Sequence, residues 1–226
     1  MPRTEGSTER GGITTDMWLQ KFGHACLLVE SDEARVLFDP GTFAKGFEQL
    51  TGLIAVLVTH QHPDHLDLGR VDGLLRRNPD ALLYADQAGA ATLTERGLQA
   101  QAVRGGDELS LAGLSVRVLG ESHAVVHPDI PTIPNVGYLL GGRLLHPGDA
   151  LTVPTEPVEV LALPVAAPWL KSAESVDYLR ALAPPVAVPI HEAVLADPNH
   201  YYGLLRRLAP GQTELRVIDD GDPTEV

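Results

Sequence analysis

The segment Thr59-His60-Gln61-His62-Pro63-Asp64-His65 packs three imidazoles and a carboxylate into a short stretch of chain. Neutral imidazole together with carboxylate is a ligand set for zinc, manganese or iron, so the segment points to metal chemistry. If the chain leaves a strand here in extended form, His60 and His62 stand at i and i+2, face the same side and can share one cation. Pro63 has a fixed φ that suits the first turn of a helix. Asp64 and His65 then project in other directions and are placed for a second cation close by.

The other ligands must come from elsewhere, and the ends of strands are where to look. His123 follows the apolar run 114–119, Asp149 follows 143–146 and His191 follows 186–190, while His60 itself follows 53–59. Four strand-like runs therefore end on a potential ligand. A rigid sheet with its site along one edge reads this way, with strands fixing the geometry and loops carrying the donors. Around this set stand further candidates. His127 shares the 122–127 loop with His123 and is the rival third ligand or a proton donor facing substrate. His24 in Phe22-Gly23-His24-Ala25 and His146 are supporting residues beneath the site, with plain packing the simpler reading for His24. Trp169, on the proline-stiffened stretch 167–171, is a candidate wall of the substrate pocket. Asp39 either caps the Pro40-Gly41 turn or supports a ligand histidine.

The elements that must position these residues follow from hydrophobic period and punctuation. Strands are expected over 17–22, 25–30 and 35–39 as a meander turning at Ser31-Asp32-Glu33, then over 53–59, 81–85, 98–104, 114–119, 158–163, 186–190 and 214–218. Runs 136–140 and 143–146 flank Gly141-Gly142, a dipeptide that tolerates positive φ and predicts a hairpin. Helices are expected over 66–77, 86–96, 172–182 and 201–208. Strands outnumber helices yet alternate with them, so the fold class is α/β in layers and not an all-β barrel. Residues 1–15 lack an apolar period and read as a flexible tail, leaving 16–226 as a single domain.

Composition narrows the function. The 226-residue chain is 44% hydrophobic and 21% charged, ordinary for a globular protein, with a net charge of −13 that disfavours a phosphate backbone as partner. Its one cysteine, Cys26, lies in an apolar run and reads as a buried structural thiol; no disulfide is possible within the chain. There is no apolar leader and no stretch long enough to span a bilayer, so the expected setting is the cytoplasm, with no membrane or nucleic-acid partner. Oligomeric state is not legible.

The order of these motifs resembles the metallo-β-lactamase superfamily of hydrolases. The match rests on the H-x-H-x-D-H segment, the strand ending Phe38-Asp39-Pro40-Gly41, a later isolated histidine, Pro147-Gly148-Asp149 and Pro189-Ile190-His191, and it covers about residues 17–219. The resemblance implies a four-layer αββα sandwich, a first metal on His60, His62 and His123, a second on Asp64, His65 and His191, Asp149 bridging the two, and Asp39 orienting a ligand histidine. Within the superfamily the chain looks closest to small single-domain metal-dependent hydrolases near the L-ascorbate-6-phosphate lactonase group. It departs from zinc β-lactamases, which commonly carry Cys where Asp149 stands, and it has no room for the extra domains of thioesterase, RNA-processing or flavodiiron relatives.

The expected cofactor is thus a pair of divalent ions, zinc first, with manganese or iron as alternatives. Such a pair lowers the pKa of a shared water from ~15.7 to near 7. The expected function is hydrolysis of a small ester, lactone or phosphoester by metal-bound hydroxide, with Asp64 and His127 as candidate catalytic groups. The alternative is an iron-dependent redox enzyme acting on oxygen or persulfide through the same shell. A binding module whose catalysis has lapsed ranks below both, because no ligand is missing.

Overall fold

A computed structural model describes residues 16–31 and 34–226. The expected tail 1–15 lies outside them, as do Asp32 and Glu33 of the expected turn. The chain opens as a meander, β1 (Trp18–Lys21), β2 (Leu27–Ser31) and β3 (Ala34–Phe38), and continues into β4 (Ala55–Val58), α1 (Val71–Arg77), β5 (Leu82–Asp86), α2 (Gln87–Glu95) and β6 (Ala100–Val103). Then follow β7 (Glu108–Leu111), β8 (Leu114–Leu119), β9 (Gly137–Leu140), β10 (Leu144–His146), β11 (Val160–Pro164), α3 (Ser172–Leu182), β12 (Val186–Ile190), α4 (Asn199–Leu208), β13 (Glu214–Leu215) and β14 (Thr224–Glu225).

The described strands form two seven-stranded sheets, in the orders β14-β1-β2-β3-β4-β5-β6 and β13-β12-β11-β10-β9-β8-β7. Each is antiparallel on one side and parallel on the other: β3 to β6 run parallel in the first, β10 to β13 in the second. Apolar side chains fill three layers. Leu19, Val36, Phe38 and Leu57 meet Val118, Tyr138, Leu144 and Val188 between the sheets. Leu37, Val56, Val58 and Leu83 pack outward with Leu74 and Leu93 of α1 and α2. Leu145, Leu161 and Leu163 do so with Leu179 and Leu205 of α3 and α4. Alternate strand residues thus feed alternate layers, giving the αββα sandwich. Tyr138, fully buried between the sheets, keeps its hydroxyl satisfied by donating to the Val58 carbonyl at 2.9 Å. Cys26 is buried, and burial pushes its thiol well up.

Several boundaries differ from expectation for identifiable reasons. Gly141 and Gly142 both take positive φ, 59° and 68°, and form the expected hairpin turn. The helix expected over 66–77 begins only at Val71, because 66–70 serves as a clamp: Arg70 donates to the Gly41 and Ala44 carbonyls and pairs with Asp67 at 2.6 Å. Strand 98–104 starts at Ala100, after Gly97 (φ 82°) has closed α2. The run 214–218 shortens to β13, and two strands went unforeseen, the partly polar β7 and the very short β14, which closes on β1. No helix of the described residues is long and apolar enough to cross a membrane.

Candidate metal centre

The site lies where β3, β4, β8, β10 and β12 end and their loops meet, joined by the β1–β2 turn. Two donor groups form there. His60, His62, His123 and Asp149 each offer one donor atom within 4.8 Å of all the others. His24, Asp64, His65 and His191 do the same.

The first group is built mainly from the motif loop. His60 is fully buried and His62 half-buried, with His60 Nε2 3.0 Å from His62 Nδ1. Pro63 opens a single turn closed by the His65 and Leu66 amides on the His62 carbonyl, at 3.0 and 2.9 Å. His123 arrives from the opposite sheet, its Nδ1 oriented by the Ala124 carbonyl at 2.5 Å and its Nε2 3.2 Å from Asp149 Oδ2.

The second group is tied more tightly. His65 Nε2 lies 2.8 Å from His191 Nε2 and 3.0 Å from Asp149 Oδ1, and His191 Nε2 lies 2.7 Å from the same oxygen. On its other side His65 Nδ1 reaches Asp39 Oδ2 at 2.6 Å. Asp39 is fully buried, and it also accepts the Thr59 amide at 2.7 Å and the Thr59 hydroxyl at 2.8 Å. Asp39 thus sits behind a histidine of the motif, where it could orient the ring. His24 Nε2 lies 3.2 Å from Asp64 Oδ2, so His24 stands among the donors and not beneath them. His146 does stand beneath, stacked on Phe38 with 5.2 Å between ring centroids.

Asp149 touches both groups, and its turn is held by residues that the sequence does not single out. Asn135 accepts the Asp149 amide at 2.9 Å and donates to the Pro147 carbonyl at 3.1 Å. Gly148 has φ 61°, and a Cβ there would sit 2.4 Å from Asn135 Oδ1 and 2.6 Å from Thr59 Cβ, so the position needs glycine on both counts. Gly41 is equally confined, since its Cβ would meet the Asp64 carbonyl oxygen at 1.8 Å. Trp169, expected as a pocket wall, donates its indole N–H to Asp149 Oδ2 at 2.7 Å and so orients the carboxylate itself. His127 joins neither group. Its side chain is exposed, and its Nδ1 accepts the Asp129 amide at 3.1 Å within a surface turn, so the third imidazole of the first group is His123.

The donor chemistry fits cations. Asp149 Oδ1 has imidazole nitrogens at bonding distance yet none in hydrogen-bond geometry, and buried His123 Nε2 has no hydrogen-bond partner. An ion between the groups would satisfy both of these buried atoms. The electrostatics agree. Burial, then the neighbouring His65, holds His60 well below the usual imidazole value, and burial with His123 lowers His62, so both are neutral as ligands must be. Burial would raise Asp149 and Asp64. For Asp149 the adjacent His65 and His191 outweigh it and hold the carboxyl well below its usual range. For Asp64 the His24 hydrogen bond and the His65 charge bring it down to about 2. Burial disfavours charge on His65, but Asp149 and Asp39 on either side override this and raise it well above the ordinary value. A cation reaching His65 therefore displaces a proton.

Comparison with known proteins agrees with this arrangement. Residues 18–191, which span the site from His24 to His191, match the family described as Beta-lactamase superfamily domain. The chain is 54% identical to protein Rv0786c of Mycobacterium tuberculosis over 211 residues, covering 90% of this chain and 97% of that one. It is 23% identical to the UPF0173 metal-dependent hydrolase MJ1163 of Methanocaldococcus jannaschii, covering 91% and 98%. Among solved structures, Igni18, a novel metallo hydrolase from Ignicoccus hospitalis, superposes with a TM-score of 0.75 at 22% identity, over 94% of this chain and 99% of its own.

Proposed function

Because the chain belongs to the β-lactamase superfamily, we propose that it is a metal-dependent hydrolase that uses two divalent cations on a small ester or lactone. The observation that carries this reading is the convergence of two four-donor groups, each within 4.8 Å, on one shared carboxylate. When bound, such a pair supplies activated water and Lewis-acid polarisation of the substrate oxygen.

The chain's own residues divide the remaining work. Thr59, Asp39 and Asn135 fix the donors from behind. Asp64 and His62 are only partly buried, which places the opening of the site beside them. Asp64, held ionised by the His24 hydrogen bond and the His65 charge, can accept a hydrogen bond from an attacking water and orient it. Beside His62 and His123 lies a notch of about 30 Å³ whose other walls are Ala124, Val126, Ile130, Pro131, Thr132 and Ile133. The notch is about the size of one water, and its walls carry no Lys or Arg to receive a phosphate. On that ground an ester or lactone ranks ahead of a phosphoester. A small-molecule substrate in an aqueous compartment, with zinc as the first candidate ion, completes the reading.

The test is turnover of an aryl-ester, lactone and phosphodiester panel by protein of measured metal content, before and after chelation and reloading. Ester or lactone hydrolysis that follows metal content supports the proposal. Stoichiometric iron with oxygen-dependent turnover, or no hydrolysis with both groups loaded, overturns it.

A further inference from the structure

We propose that His24 is a direct ligand of the second cation, which gives that ion one more protein donor than the first. The inference rests on the reading above that cations occupy both groups, and adds a ligand from the β1–β2 turn.

Two fully buried histidines near the site show the difference between packing and ligation. His146 is satisfied at both ring nitrogens: Nε2 bonds the Ala25 carbonyl at 2.9 Å, and Nδ1 accepts the Gly148 amide at 3.3 Å. His24 is equally buried, yet its Nδ1 has no partner, and its Nε2 faces only the Asp64 carboxylate, 3.2 Å away. A core histidine placed for packing alone would not leave a buried nitrogen unpaired at a cost of about 1–3 kcal/mol.

The backbone makes the same point. Gly23 and His24 take φ 102° and 55°, the second a strained conformation for a residue with a side chain. The turn is held there by Glu192, which accepts the His24 amide at 3.2 Å and is itself paired with buried Lys21 at 2.6 Å. The result sets the His24 ring 4.0 Å, centroid to centroid, from that of His191, and brings its donor within 4.8 Å of those of Asp64, His65 and His191. Donors on opposite sides of one ion at about 2.0–2.3 Å stand about 4–4.6 Å apart, so this spread suits a single shell.

Each group holds four donors, and Asp149, whose Oδ1 also reaches His65 and His191, would bring the second to five against the first group's four. Four suit a tetrahedral ion such as zinc; five suit an ion that accepts a fuller nitrogen–oxygen shell, such as manganese or iron. The two positions would therefore differ in metal preference.

Cobalt(II) alone is the probe, titrated into metal-free wild type, His24→Ala and His24→Gln while visible absorption is followed. In wild type one equivalent absorbs more weakly than the other, as a more-than-four-coordinate ion does. Both variants weaken that equivalent by about 10- to 100-fold, intensify its absorption and leave the other unchanged. Should neither variant fold, histidine-labelled wild type with two cobalt equivalents gives the readout by NMR: the His24 ring carries a contact shift as large as those of His65 and His191, well above the through-space shift of His146. Two equivalents bound at wild-type affinity with an unchanged spectrum in the variants, or a His24 shift no larger than that of His146, would overturn the ligand role alone. Wild type that binds fewer than two equivalents would overturn the two-cation reading along with it.

Discussion

The two donor groups share Asp149, and each takes two donors from the 60–65 loop, but they differ in openness and in backbone strain. In the first, His62 is half-buried and none of the histidines has a positive φ. The second is completed by His24 and His191 and held by strain. Of the five described non-glycine residues with positive φ, His24 and His191 are in this group and Asp39 lies directly behind it. Strain concentrated at buried ligands marks preorganisation supported by the surrounding fold, whereas an open, unstrained group can yield to an incoming substrate. The difference assigns them distinct tasks: the second group anchors, and the first receives.

The largest effect comes from erasing what the groups share. Asp149→Ala should reduce bound metal from two equivalents to below one and lower turnover by at least about a thousandfold, read by elemental analysis alongside ester kinetics. Two retained equivalents would show that the groups are independent after all.

Next in size, Asp39→Ala should damage the anchoring group alone. It removes the partner of His65 Nδ1 at 2.6 Å and leaves the buried Thr59 amide unpaired, while the Thr59 hydroxyl keeps only its ring-nitrogen contacts to His60 and His65. The expected cost is about 3 kcal/mol of stability and a 10- to 100-fold loss in affinity for one cation of the two, measured by urea unfolding and metal titration. Equal weakening of both ions would erase the distinction between anchor and receiver. The mirror experiment is His62→Ala, which should weaken the other cation with little change in stability, within about 1 kcal/mol, because its ring is partly exposed.

How much of this could be read from sequence follows the distance between partners along the chain. The motif donors of both groups were legible because their signal is local: the spacing of His60, His62, Asp64 and His65 needs no tertiary knowledge. His123, Asp149 and His191 were legible from their positions after apolar runs. Asn135 and Thr59 were not, because an amide clamping a turn 14 residues away and a hydroxyl reaching back 20 residues leave no periodic trace. His24 was seen, but its place among the donors depends on a turn held by Glu192, 168 residues away. His127 stood close enough to His123 in sequence to compete with it, and only the surface turn to Asp129 separates them. The layered sandwich was readable from alternating runs, whereas β14 pairs across nearly the whole chain and carries too few residues to announce itself.

The smallest expected effect on the metal centre lies outside both groups and serves as their control. Asp86 caps α2 through the Ala88 and Gly89 amides, and burial raises its carboxyl to about 6. A folded value above the unfolded 3.8 means that its contribution to stability is full below pH 3.8 and is lost as pH rises through about 6. Asp86→Asn keeps an acceptor for the cap without the buried charge. It should therefore stabilise the protein by about 2 kcal/mol at pH 8 and by almost nothing at pH 4, with metal content unchanged. Urea midpoints at the two pH values check this.

The most direct measurement is anomalous X-ray diffraction from crystals of the protein loaded with a single kind of divalent metal, collected at that metal's absorption edge. Two neighbouring peaks are predicted, one enclosed by His60, His62 and His123, the other by Asp64, His65 and His191, with the Asp149 carboxylate between them. A single peak, or peaks away from these side chains at full loading, would contradict the account.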